Sequence, residues 1–206
     1  MNTKISAIRG ALDFIERHLG EEITVGDIAD SAGYSLYHFI RTFNQVVKHS
    51  PYDFLMRRRL TEAARELLAS ERKILDIALD NGFNNHETFS RAFKRMFQIQ
   101  PNQWRGLQVH LDQVYLPALT DIYLAHINQP DFVSPECSTS DSGSLVQFYH
   151  PGPASRLHLT ISYIHHTWLP QSETQLAYLP AGEHFFPKKM RIGLVAKIPS
   201  ITQDFH

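Results

Sequence analysis

Apolar residues recur at steps of three and four through the first hundred positions, and that spacing predicts helices throughout. Ile5, Ile8, Leu12, Ile15 and Leu19 form one stripe, with Gly20 as a natural stop. Thr24 with Asp27 has the form of a capping box ahead of a short helix carrying Val25, Ile28, Ala29 and Ala32. Gly33 suits the left-handed position at the end of that helix, Tyr34 anchors the turn, and Ser35 is placed to cap the next helix. This next helix turns Phe39, Phe43 and Val46 or Val47 inward. Ser50-Pro51-Tyr52-Asp53 then supplies a hydroxyl cap, a first-turn proline and an acid, opening a long helix to about Ser70. The pattern returns: Ile74, Ile77 and Ala78, then Asn81-Gly82, then Asn85 capping a helix that buries Phe89, Phe93 and Phe97. Pro101 opens a last short helix with Trp104. Seven helices are expected, four of them in two helix-turn-helix units at about 24–47 and 74–97.

The two units are one phrase written twice. Asp27-Ile28-Ala29, Gly33-Tyr34, Phe39, Arg41, Phe43 and Pro51 correspond to Asp76-Ile77-Ala78, Gly82-Phe83, Phe89, Arg91, Phe93 and Pro101. The offset is 49 residues up to the glycine and 50 from the phenylalanine after it. One residue has therefore been added between Phe83 and Phe89, at a turn, and a repeat this ordered marks a duplicated supersecondary unit.

Beyond Leu107 the pattern changes. Residues 114–127 are apolar but interrupted by Pro117, and 128–144 are turn formers that read as a long loop. Segments 145–149, 156–164, 175–179 and 190–198 are short and rich in β-branched and aromatic residues, with Pro and Gly between them. The expected fold is α+β multidomain. An all-α domain at 1–108, with its two units joined by a long helix, precedes a smaller β-rich domain at 109–206.

Charge and cysteine content narrow the picture only a little. Residues 1–108 hold 15 Lys+Arg against 13 Asp+Glu, and residues 109–206 hold 5 against 8, so the first part tolerates a polyanion without demanding one. Cys137 is the single cysteine, which excludes an internal disulfide; with no secretory leader at Met-Asn-Thr-Lys-Ile, a cytoplasmic location is expected. No apolar run is long enough to cross a bilayer. His165 and His166 are adjacent, so on a strand they would face opposite ways, and no metal site is expected. No Gly-rich phosphate loop, paired-acid motif or Gly-x-Ser-x-Gly occurs, so neither a cofactor nor an enzymatic activity is expected.

A helix in the DNA major groove reads bases from the outward side of its first two turns. With Phe39 and Phe43 inward, the first unit presents Leu36, Tyr37, Ile40, Arg41 and Asn44; the second presents His86, Glu87, Ser90, Arg91 and Lys94. Arg41 and Arg91 hold the same place, where a guanidinium can grip guanine O6 and N7; phosphate contact or plain solvation are the alternatives. Tyr37 and Ile40 suit thymine methyls or ordinary packing. Glu87 can accept from a cytosine amine or support the helix N-terminus. Arg57, Arg58, Lys94 and Arg95 are candidates for phosphate contact, with a solvated basic face as the alternative for the run Arg57-Arg58-Arg59.

At these residues the chain resembles the AraC/XylS-type DNA-binding domain, over positions 4–105. The likeness runs through Ile-Ala-Asp-Ser-Ala-Gly-Tyr-Ser at 28–35, Phe39-x-Arg41-x-Phe43, Asp-Ile-Ala-Leu-Asp-Asn-Gly-Phe at 76–83, Phe-Ser-Arg-Ala-Phe-Lys at 89–94 and Pro101. It implies a bacterial transcription regulator whose two recognition helices enter successive major grooves of an asymmetric site. Double-stranded DNA is the implied partner, with RNA polymerase a second. Tyr37, Ile40, Arg41, His86, Glu87, Ser90 and Arg91 fall where that family contacts bases. A DNA-binding domain placed first resembles the Rob-like members, which carry a GyrI-like effector domain behind it. Leu116-Pro-Ala, Gln147-Phe-Tyr-His-Pro-Gly-Pro153 and Leu179-Pro-Ala-Gly-Glu-His184 are similar to a shortened form of that domain. The resemblance implies a small hydrophobic effector; the alternative is a domain used only for protein interaction or assembly.

Overall fold

The computed structural model describes residues 3–97, 99–106, 118–139, 145–150, 154–168, 175–176, 183–186 and 189–197. The chain divides into two units, the first comprising Met1–Leu111 and Tyr115–Pro130, the second Asp112–Val114 and Asp131–His206.

In the first unit the expected helices form: α1 Thr3–Arg17, α2 Val25–Ser31, α3 Leu36–Val47, α4 Pro51–Ala69, α5 Ile74–Asp80, α6 His86–Phe97 and α7 Pro101–Arg105. Their starts are set chemically. The Thr24 hydroxyl accepts from the Asp27 amide at 3.2 Å while the Asp27 carboxylate accepts from the Thr24 amide at 2.7 Å. At α4, the Ser50 hydroxyl accepts from the Asp53 amide at 3.1 Å and Pro51 takes the first turn. Ser35 behaves otherwise: it occupies the cap position of α3 but its side chain makes no cap bond. Gly33 and Gly82 adopt φ of +71° and +73°, the left-handed turn that lets each second helix reverse across the first. Four residues separate α2 from α3 and five separate α5 from α6, so the added residue sits in the second turn.

Each helix-turn-helix closes on its own core, with α4 shared between them. The first core gathers Ile8, Ala11, Leu12 and Ile15, then Ile28 and Ala29, then Phe39, Phe43, Val46 and Val47, with Phe54 and Leu55 from α4. In the second, Phe89, Phe93 and Phe97 run along α6, and Phe93 meets Trp104 edge-on at 5.7 Å. The Trp104 indole donates to the Ala64 carbonyl at 3.0 Å, which ties α7 to α4.

The first unit extends past the boundary expected at 108/109. A further helix, α8 (Asp121–Ile127), belongs to the first unit. Leu124 completes the first core, Asp121 pairs with Arg9, and the Asn128 amide donates to the carbonyls of Val46 at 3.0 Å and Leu124 at 2.9 Å. The contact spans 82 residues of sequence, beyond the reach of local periodicity. The Asn128→Ala variant should lose about 1 kcal/mol, because the Val46 carbonyl lies at the C-terminal end of α3 where no helical partner remains. Urea denaturation reads this, and an unshifted midpoint would mean water replaces the amide.

The second unit mixes strands with helix, and the small β-rich domain is not found as expected. Strands β1 (Cys137–Thr139), β2 (Leu145–Tyr149), β3 (Gln175–Leu176), β4 (Glu183–Phe186) and β5 (Lys189–Lys197) pair antiparallel, β1 with β2, and β5 with β2, β3 and β4. Segment 156–164, expected as a strand, is instead the helix α9 (Leu157–Tyr163), running on into a π-helical turn Ile164–Trp168. Its alternating Leu157, Leu159 and Ile161 suggest a strand, but burial falls on Leu159, Thr160, Ile164, His166 and Thr167, a helical spacing. His165 and His166 therefore lie on this turn rather than on a strand. The loop expected at 128–144 contains β1, and residues 177–179 and 198 of the other expected strands lie outside the described residues.

Candidate nucleic-acid interface

On α3, Phe39, Thr42, Phe43 and Val46 are buried, which turns Leu36, Tyr37, Ile40, Arg41 and Asn44 outward. At 100° per residue these five span an arc of about 140°. Tyr37 is 79% exposed, Leu36 50% and Ile40 36%, so the helix holds three large apolar side chains in water. All three lie on the face opposite the buried Phe39 and Phe43. Arg41 is exposed and has no side-chain partner among the described residues.

Helix α6 presents the same arc with other chemistry. Phe89, Phe93 and Phe97 are inward; His86, Glu87, Arg91 and Lys94 are exposed and Ser90 is half-buried. The Asn85 side chain accepts from the Thr88 amide at 2.8 Å, holding the helix start as its sequence suggests. His86 lies 3.4 Å from the Ser90 hydroxyl. Glu87 pairs with Arg91 at 3.5 Å, so the acid on this face holds the arginine rather than standing alone. A solvated pair of this spacing is worth about 0.3–0.5 kcal/mol, little enough for a base edge or phosphate to displace it.

The three adjacent arginines of α4 do three different things. Arg57, half-buried, donates to Asp53 at 2.8 Å; burial works against the Asp53 charge, but His49 and Arg57 together hold its pKa down to about 2. Arg58 is buried and donates to both carboxylate oxygens of Glu16, at 2.7 and 2.8 Å, and to Glu62 at 2.9 Å. Burial opposes its charge, yet those two acids raise its pKa beyond the usual guanidinium value. The expectation that Arg58 contacts phosphate is therefore corrected: its donors are spent inside the fold. Arg59 is also buried and points to main-chain carbonyls. Its place in a basic run is the only trace of that role in the sequence. Lys94 and Arg95 lie exposed in the last turn of α6. Among the described residues no helix is long and apolar enough to cross a membrane, and no His/Cys/Asp/Glu group could hold a metal.

Comparison with known proteins matches this half of the chain. A family model described as a helix-turn-helix domain covers residues 28–106. The regulatory protein SoxS of Escherichia coli is 36% identical over 98 residues, 48% of this chain and 92% of SoxS. The multiple antibiotic resistance protein MarA of Salmonella typhimurium is 31% identical over 115 residues, 56% of this chain and 91% of MarA. The transcriptional regulator Rob of Salmonella typhimurium is 39% identical over 98 residues, 48% of this chain but 34% of Rob, so the chain spans about a third of that relative's length.

Proposed function

This chain belongs to the AraC-type family of helix-turn-helix transcriptional regulators, and from that premise we propose that it reads an asymmetric double-stranded DNA site through two successive major grooves. The observation that carries the reading is that α3 and α6 expose the same arc with different residues. Equivalent placement gives two readers, and unlike side chains give each reader a different base preference. Helix α4, of 19 residues, is about 28 Å long, near the ~34 Å of one DNA turn, which supports adjacent grooves on one face.

In this reading Tyr37 and Ile40 pack on thymine methyls and Arg41 grips a guanine edge. His86, Glu87, Ser90 and Arg91 act in the second groove, with Arg91 leaving Glu87 for DNA. Lys94, Arg95 and, once released from Asp53, Arg57 contact phosphate. Regulation through RNA polymerase and a small hydrophobic effector for the second unit are supported by the family resemblance; a purely assembling role is the alternative for that unit.

The test uses a site selected from random DNA by the full chain. Arg41→Ala is expected to weaken binding to that site by about 1–3 kcal/mol and to relax preference at one base pair. Binding to random DNA, and its salt dependence, should change little. Equal losses on selected and random DNA would overturn the base-reading role.

A further inference from the structure

Two readers on one chain are useful only if their separation matches the DNA, and one buried side chain joins them. Arg59, 6% exposed, leaves α4 at its middle and donates Nε to the Leu19 carbonyl at 2.8 Å, Nη1 to the Gly82 carbonyl at 3.1 Å and Nη2 to the Glu21 carbonyl. Leu19 and Glu21 follow α1, in the first helix-turn-helix bundle, whereas Gly82 is the turn glycine of the second. Between Leu19 and Glu21 the backbone touches the second bundle directly, since a Cβ on Gly20 would collide with the carbonyl oxygen of Asp80, the last residue of α5.

The chemistry of this junction differs from that of its neighbour. Arg58 is compensated by two carboxylates, but the hydrogen bonds of Arg59 go to neutral carbonyls only, an arrangement costly in desolvation and hard to justify by stability alone. What it supplies is geometry. A guanidinium is a planar fork with donors in fixed directions, and no other side chain can hold three separate carbonyls in one plane. Those carbonyls are main chain, so they cannot move without carrying their bundles along.

We propose that Arg59 is a positioning residue that fixes the separation and rotation of the two recognition helices, and so sets the spacing this protein accepts between the halves of its DNA site. The inference rests on the two-groove reading proposed above. Linked binding modules gain affinity only when both can engage at once, and a stiff link makes that gain steeply dependent on spacing. One added base pair moves the second half-site by about 3.4 Å and about 34°, too far for a clamped pair of readers.

The experiment measures binding of the full chain to its selected site and to derivatives with one base pair inserted or removed between the half-sites. The unaltered protein should lose at least about tenfold on both derivatives. Arg59→Met keeps the unbranched apolar stem but removes the guanidinium and its donors; it should bind the selected site more weakly but lose less than about threefold on changing the spacing, with base preference within each half unchanged. Arg59→Lys, which retains charge without the fork, should resemble Met rather than the unaltered protein. Gly20→Ala keeps the Arg59 side chain but wedges the bundles apart against the Asp80 carbonyl, so its preferred spacing should differ from that of the unaltered protein; it also serves if an Arg59 variant fails to fold. Folded variants with the original spacing penalty would overturn the proposal. A different result, in which the unaltered protein is indifferent to spacing, would refute the two-groove reading itself.

Discussion

Arg58→Ala should lower stability by about 3–5 kcal/mol while leaving the salt dependence of DNA binding unchanged. The guanidinium is 5% exposed and answers Glu16 and Glu62 together, so its removal strands two half-buried carboxylates facing each other across α1 and α4. Removing one partner of such a cluster is far costlier than never having built it, because the remaining charges keep their desolvation penalty. Urea denaturation measures the first effect and the slope of log affinity against log salt the second. A phosphate contact would give the opposite signature, namely near-normal stability with a slope reduced by about one ion. Arg57→Ala provides the comparison, since that side chain is half-buried and held by the single partner Asp53 among the contacts described.

The contrast within this run of arginines shows where sequence reasoning stops. Helical spacing says that three successive residues diverge by 100° steps, but not which direction meets solvent, an acid or a backbone carbonyl. Glu16 lies 42 residues from Arg58, and Gly82 lies 23 from Arg59. Within the helix-turn-helix units, by contrast, the determining contacts are local. Thr24 with Asp27, Ser50 with Pro51, the turn glycines and the inward phenylalanines each set their element within a few residues, and each stands in the structure as its sequence implies. The outward faces of α3 and α6 follow by subtraction, which makes the candidate readers legible too. The described residues beyond 107 depend on distant pairing instead. Strand β5 organises β2, β3 and β4 from 189–197, and α8 is placed by Leu124 in the first core together with the contacts to Val46 and Arg9. Local alternation at 156–164 therefore carried no weight against the helical face the core required.

The two turn glycines allow a test of how much surroundings matter beyond backbone conformation. Gly33 and Gly82 share nearly the same φ, +71° and +73°, so replacing either by alanine incurs the same left-handed penalty of about 1–2 kcal/mol. Their neighbourhoods differ. A Cβ on Gly33 meets nothing within 4 Å, whereas one on Gly82 would lie 2.6 Å from the Arg59 Cζ. A guanidinium at the end of a free side chain would simply swing away, but this one is held to the carbonyls of Leu19, Glu21 and Gly82 and is buried. Retreat would sacrifice at least one charged hydrogen bond, worth about 1.5–3 kcal/mol. Gly33→Ala should thus cost about 1–2 kcal/mol and Gly82→Ala about 3 kcal/mol or more, both read from urea midpoints at constant slope. Adding Arg59→Met should bring Gly82→Ala close to Gly33→Ala, because the obstacle is gone and only the backbone penalty is left. Equal costs for the two glycines with Arg59 intact would mean that the guanidinium moves freely, and a group that moves freely cannot hold two readers in register.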